Sequence, residues 1–356
     1  MLTNDFAYYS AFWNAITYIL FFIGLVSSLY YYMKGGKVHP LNPLWVIMCF
    51  VLVVLLMGYF PVLRGSADRE YYYMWYLQIQ QGVVGAENFK DSGFYYFQKI
   101  VSFLPVKYFF VYFSFVYTLC VYVFCRSITK EFAGILFLGY ILSFLFVNYG
   151  VNTMRAGLAS SFLLLAMTFR NKIYLCIILL IVTISIHFSM LLPVIAYLIS
   201  RYWDKTKLYF MIWLISIPAS FMIGHLFEAY MVKLNPDERV SYLMVNAMDT
   251  HYKAGFRIDF ILYSCFPALL GYYYIYKKKY RDVFYCNLYN MYLLSNTFWI
   301  LVIRANFSDR FAYLSWFIYS IVLLYPLVTH SIVKRQGLWI GTIFLGLTLF
   351  RFVFII

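Results

Sequence analysis

The chain reads as an all-α polytopic membrane protein, and three observations carry that reading. Of its 356 residues 64% are hydrophobic and only 12% charged, against roughly 45–50% and about 25% in an ordinary soluble domain. The apolar residues fall in runs close to the ~20 residues that cross a hydrocarbon core, separated by charge or by Gly, Pro and Asn. Aromatic side chains supply 23% of the sequence, with 38 Tyr and 37 Phe, which suits membrane interfaces and stacking surfaces. Soluble globular, collagenous, disordered and disulfide-scaffold classes are excluded. The net charge of +14 would suggest nucleic acid in a soluble protein. In a membrane protein it must first be divided between the two faces, and no nucleic-acid partner is expected.

Ten full spans follow in order. The first, 10–33, lies between Asp5 and Lys34; 44–63 follows Asn42-Pro43 and stops at Arg64. Spans 107–125 and 132–148 flank Arg126, Lys130 and Glu131, and 154–169 ends before Arg170. Then come 208–227, 258–276, 284–303, 310–329 and 337–355, each bounded by charged residues. The segment 173–200 makes either one overlong helix or two half-helices around His187-Phe188-Ser189. Sidedness decides between them, because short cytoplasmic loops collect Lys and Arg. With the N-terminus outside, Lys34, Lys37, Arg126, Lys130, Arg170 and Lys172 fall in the cytoplasm. If 173–200 is a hairpin entering and leaving on one side, then Arg201, Lys205, Lys207, the cluster Lys277-Lys278-Lys279-Arg281 and Lys334-Arg335 fall there too, opposed only by Glu131, Asp204 and Asp282. A single span would send the cluster outside, so the hairpin is preferred. The first apolar run is too long, and its flank too poor in cations, for a signal peptide, so it is expected to stay as a membrane helix. Cys49, Cys120, Cys125, Cys176, Cys265 and Cys286 show no metal or redox spacing and read as reduced packing residues. With no internal repeat, one domain is expected over 1–356.

The remaining polar residues cluster at the outer helix ends and in two outer segments. Segment 64–107 begins R-G-S-A-D-R-E-Y-Y-Y and continues into an aromatic stretch from Phe94 to Leu104 that fits an interfacial helix. Segment 228–257 contains N-P-D-E-R, where Asn235 can cap a short helix, Pro236 suits its first position, and Asp237 and Glu238 suit its positive end. Eight arginines are on this side: Arg64, Arg69, Arg155, Arg239, Arg257, Arg304, Arg310 and Arg351. The planar guanidinium fork matches phosphate oxygens, so a group of them suggests a polyanion; the alternative for each is snorkelling to lipid headgroups, favoured for Arg351. Arg155 stands in N-T-M-R-A-G-L-A, where Asn152 can cap the helix and Gly157, Ala159 and Ser160 admit a close neighbour. Ser308-Asp309-Arg310 repeats that arrangement, with Asp309 a plausible cap. His187 sits at the hairpin tip, and an ionisable group within a membrane tends to mark a pathway or site.

In order and spacing, the block starting at Arg64, N-T-M-R-A-G-L-A, H-F-S-M-L-L-P and S-D-R-F-A-Y resemble the EpsG/Wzy family of O-antigen, capsule and exopolysaccharide polymerases. The resemblance implies a GT-C-like membrane glycosyltransferase fold in a bacterial inner membrane, with the active site facing the periplasm or exterior. The implied reaction moves a growing glycan from undecaprenyl diphosphate to the non-reducing end of a lipid-linked repeat unit. It needs a charge clamp for the leaving diphosphate and a base or polariser for the acceptor hydroxyl. Arg155 and Arg310, assisted by Arg64, Arg69 or Arg304, fit the first role; Asp68 or His187 fits the second, although Asp68 can instead cap a helix at Arg69. Tyr71, Tyr72 and Trp75 can stack on sugars or form an interfacial belt. No D-x-D, His/Cys metal set or nucleotide loop is present, so a lipid-linked donor without metal or other cofactor is expected. Lipid-linked oligosaccharides, membrane lipids, a flippase and a chain-length regulator are the implied partners. A lipid-linked oligosaccharide flippase or other transporter, and a membrane glycan acyltransferase, are the competing readings. The first should place charge near the midplane with repeat symmetry; the second needs a cytoplasmic acyl donor.

Overall fold

In a computed structural model, the structure describes residues 2–62, 67–234, 256–305 and 308–355. Arg64, Asn235, Pro236, Asp237, Glu238 and Arg239, named above, lie outside the described residues. Those described form helices and no strand. In chain order they are α1 (Leu2–Met33), α2 (Pro43–Gly58), α3 (Ala67–Gln80), α4 (Ser92–Ile100), α5 (Val106–Ile128), α6 (Ala133–Leu142), α7 (Phe144–Val151), α8 (Met154–Thr168), α9 (Ile173–Ile186) and α10 (Leu191–Tyr202). They continue with α11 (Thr206–Leu234), α12 (Ile258–Tyr272), α13 (Val283–Leu301), α14 (Asp309–Trp316), α15 (Tyr319–Thr329) and α16 (Gln336–Ile355).

By length and composition four stretches can cross a membrane: Tyr8–Met33, Val106–Ile128, Ile258–Lys277 and Asp309–Thr329. A fifth is possible if α6 and α7 count as one span, bent by 71°. The expected continuous span 132–148 is therefore broken. The break falls at Ser143, whose backbone is extended and whose hydroxyl donates to Tyr140 O at 2.6 Å, supplying a carbonyl partner where the helix ladder stops. Further apolar helices, among them Pro43–Gly58, Met154–Thr168 and Ile173–Ile186, are shorter than these. The segment 173–200 forms two helices rather than one long helix, since His187 is extended and ends α9.

The chain gathers into two compact units: Met1–Leu191 with Leu327–Ile356, and Leu192–Pro326. In the first, α1 and α16 pack at close range through small residues, as helices in lipid do where bulk would hold backbones apart. A Cβ added at Gly24 would come within 2.0 Å of Thr348 Oγ1. One turn beyond Thr348, Arg351 is 2% exposed, so it is enclosed by protein and does not snorkel as expected. An aromatic column of Phe113, Tyr117 and Phe146 lines α5 and α7, and Tyr117 OH donates to Phe146 O.

The second unit is organised around α13, which is buried on nearly every side. A helix so placed must satisfy its polar groups within protein. Asn296 does this: its Oδ1 accepts from Trp213 Nε1 (2.8 Å), and its amide donates to Ser264 Oγ (3.1 Å) and Ser315 Oγ (2.9 Å). Trp316 Nε1 also donates to Ser264 Oγ. One side chain thereby ties α11, α12, α13 and α14. Pro326 lacks the N–H that would pair with the carbonyl four residues back, and that carbonyl, Val322 O, receives Tyr285 OH at 3.0 Å. Replacing Asn296 by Leu strands the Trp213 N–H, at a cost of about 1–3 kcal/mol. Thermal unfolding in detergent should show a lower Tm; an unchanged Tm would mean that these bonds do not hold the unit.

Candidate active site

Asp91 occupies the position before α4, where a carboxylate ordinarily caps the helix, yet it makes no bond to the helix N–H groups. It reaches instead to the break between α9 and α10. The extended backbone at His187 leaves the N–H of Phe188 without a helical acceptor, and Asp91 Oδ1 accepts from it at 3.2 Å. Such proximity needs a glycine: a Cβ at Gly93 would lie 2.3 Å from Ser185 Oγ and 2.8 Å from the Ile186 amide nitrogen, so any side chain there would push α4 off the end of α9.

The other oxygen of Asp91 gathers two ionisable side chains. Oδ2 accepts from Arg155 Nη1 at 2.8 Å and lies 3.5 Å from His187 Nδ1. Arg155 is the second residue of α8, whose start is fixed by the turn before it. There Asn152 N and Thr153 N donate to Asn148 O, and the Asn152 amide donates to Asn148 Oδ1 at 3.1 Å. Thr153 therefore precedes the helix, and Asn152 does not cap it as expected. Gly157 brings α8 against α7, with the position of a Cβ only 2.5 Å from Tyr149 O. The Arg155 guanidinium sits 5.5 Å from the Trp75 ring centre and 5.9 Å from that of Tyr72, within cation–π range.

Exposure divides these groups by role. The Asp91 side chain is 2% exposed, Arg155 29% and His187 21%. The carboxylate is an enclosed anchor, and a buried charge of that kind is tolerable only when paired and hydrogen-bonded. Arg155 and His187 keep part of each side chain open beside it. Tyr72 is buried, and burial raises its hydroxyl pKa against the opposing pull of Arg155, so it remains a neutral phenol. Asp68 is half-buried in the first turn of α3 and interacts electrostatically with Arg155. The helix begins at Ala67, so Asp68 lies inside it and does not cap it; an acid in that turn still complements the positive helix end.

The other expected residues are spread. Arg69 is 1% exposed. Its Nη2 donates to Met57 O and Gly58 O, both at 3.1 Å, and its guanidinium lies 4.0 Å from the Phe110 ring centre. It closes the carbonyl end of α2 as a cation should, and burial pushes its pKa down to about 9. Enclosure corrects its expected place among the phosphate ligands. Arg304 and Arg310 belong to the second unit: Arg304 is half-buried with Phe221 5.7 Å away, and Arg310 is exposed at the start of α14. The residue before α14 is Ser308, with Asp309 in the first turn. Among the aromatics Tyr71 is 65% exposed, Trp75 is half-buried edge-on to Phe89, and Tyr72 is too enclosed to offer a face to a sugar.

Asp91 was missed in the sequence. Its partners lie 64 and 96 residues further on, so no local motif joins it to them. The usable signal was an acid immediately before small residues within an otherwise aromatic stretch.

The fold and this cluster define a helical membrane protein in which one sheltered acid holds an arginine and a histidine side by side. The EpsG family profile matches residues 44–356, and the chain belongs to that family, one of Wzy-like polysaccharide polymerases. No curated protein and no solved structure matches it.

Replacing Arg69 by Met should lower stability in detergent by about 1–3 kcal/mol through the two lost carbonyl bonds, with little recovery in the Lys variant. Unchanged stability combined with weaker phosphate-ligand binding would return Arg69 to the ligand set.

Proposed function

We propose that the chain is a polysaccharide polymerase that extends lipid-linked repeat units on the periplasmic side of a bacterial inner membrane, with undecaprenyl diphosphate as the leaving carrier and no metal in the reaction. The observation that carries the reading is Asp91, which joins Arg155 and His187 on one carboxylate. The acceptor hydroxyl oxygen attacks the anomeric carbon of the donor glycan. A new glycosidic C–O bond forms, the bond from that carbon to the diphosphate oxygen breaks, and its electron pair leaves with the diphosphate.

Each residue has a part. His187 takes the hydroxyl proton; Asp91 orients the imidazole and stabilises the cation that forms, as the acid of a catalytic triad does. Arg155 uses Nη1 to hold Asp91, and the exposed part of its guanidinium is what it offers to phosphate oxygens. Because Asp91 offsets the Arg155 charge, the diphosphates need further cations, for which Arg64, Arg304 and Arg310 are the candidates. Asp68 is the alternative base, within the field of Arg155. Trp75 and the exposed Tyr71 are the candidate sugar platforms. In this reading the shorter apolar helices complete about ten crossings in a GT-C-like arrangement, α9 and α10 form a hairpin with His187 at its tip, and a flippase and a chain-length regulator serve the same substrate.

The test is reaction of the purified protein with synthetic lipid-linked repeats, read as a ladder of chain lengths. Arg155→Ala should cut polymer formation by about 10²–10³, with Arg155→Lys between it and the parent because the planar fork is lost. Normal ladders from both variants would end the proposal. His187→Gln should lose about 10²–10⁴ of the rate together with the acid-side fall of the parent's pH profile. A Gln variant with near-parent rates would assign His187 to packing and pass the base role to Asp68.

A further inference from the structure

A cavity of about 440 Å³ opens in the first unit between the α1–α2 loop and the α15–α16 loop, a size usual for small-ligand sites. Its lining carries Lys37, Lys334 and Arg335 but no Asp or Glu. Clustered cations at helix ends are common wherever a chain meets anionic lipid, so the cluster alone decides little.

The loops that carry them are tied to each other and hold left-handed backbone. Gly337 N donates to Gly36 O at 2.6 Å, and Gly36 adopts a φ of +82 with the Arg335 Cα 3.0 Å from where its Cβ would be. Arg335 itself has a φ of 54, a left-handed conformation costing an L-residue roughly 1–2 kcal/mol. Gln336 is buried and staples the second loop: its Oε1 accepts from Ile332 N at 2.9 Å, and its amide donates to Leu327 O. Snorkelling would require none of this, since a long side chain on a helix end reaches water unaided. Strain held at a fixed cationic position is a familiar mark of a binding site.

The rest of the lining sets Val38, Phe132, Val328 and Val333 beside the polar Thr329, His330 and Ser331, so cations, neutral hydrogen-bonding groups and an apolar wall meet in one place. The geometry points to a binding site for the phosphate headgroup of an anionic phospholipid, gripped by Lys37, Lys334 and Arg335, with the glycerol region against the valines and Phe132. Basic pockets between membrane helices bind such headgroups elsewhere. A soluble phosphate shares the charge chemistry but has no use for the apolar wall.

Native mass spectrometry of the full-length protein, mixed with phosphatidylglycerol or phosphatidylcholine in detergent, reads this directly. The parent should retain phosphatidylglycerol at least about fivefold better, equivalent to roughly 1 kcal/mol. The variant K37Q/K334Q/R335G should retain both equally; Gly at 335 keeps the left-handed backbone while removing the guanidinium and its stem. If the triple variant does not fold, Lys37→Gln and Arg335→Gly are measured singly, and each should lose part of the preference. Equal retention of the two lipids by the parent, an undiminished preference in the variants, or displacement by millimolar inorganic phosphate as complete as by phosphatidylglycerol would each overturn the assignment.

Discussion

A single carboxylate, sheltered from water, sets the arrangement of the first unit's polar residues. Asp91 lies among aromatic side chains where an unpaired charge would be expensive, and its two oxygens are satisfied by groups from separate parts of the chain. One oxygen pays for the broken helix after His187 by taking its free N–H; the other fixes the guanidinium of Arg155. The helix break, the start of α8 and the start of α4 are therefore one construction. Gly93 and Gly157 are its clearances, since a methyl group at either would separate the pieces.

The second unit solves the same problem with neutral groups. Asn296, Ser264, Ser315 and two tryptophan N–H groups saturate one another inside an apolar bundle, and a tyrosine hydroxyl repairs the carbonyl that Pro326 leaves open. Neutral networks of this kind specify which helices meet at little electrostatic cost. The second unit also holds a part-open ion pair, Arg257–Asp259, at 2.6 Å with side chains 25% and 33% exposed, whereas the network around Asn296 is neutral and buried.

Much of the helical layout was legible, because apolar run length and charged punctuation follow directly from what a bilayer admits. The discontinuity at His187 was legible for the same reason: a largely apolar segment of 28 residues was too long for one crossing if the basic cluster was to stay inside. The bend at Ser143 was not, since neither Pro nor Gly marks it. Arginine was the most ambiguous signal. Arg69 and Arg155 carry the same fork in positions that the sequence alone does not tell apart, yet one closes the end of a neighbouring helix and the other stands half-open beside an acid; only tertiary packing separates them. Asp91 escaped because its partners lie 64 and 96 residues away along the chain, beyond any local pattern.

The helix α3 is fastened at both ends. Arg69 clamps its beginning to the last carbonyls of α2, while Tyr76 OH donates to Leu104 O and the Gln80 amide to Ser102 O and Leu104 O. A segment anchored in this way behaves as a fixed lintel above Arg155 rather than as a hinged door. With both ends tied, the Trp75 and Tyr72 rings are held 5.5 and 5.9 Å from the Arg155 guanidinium, so the aromatic wall of that cation is as firmly placed as its carboxylate partner.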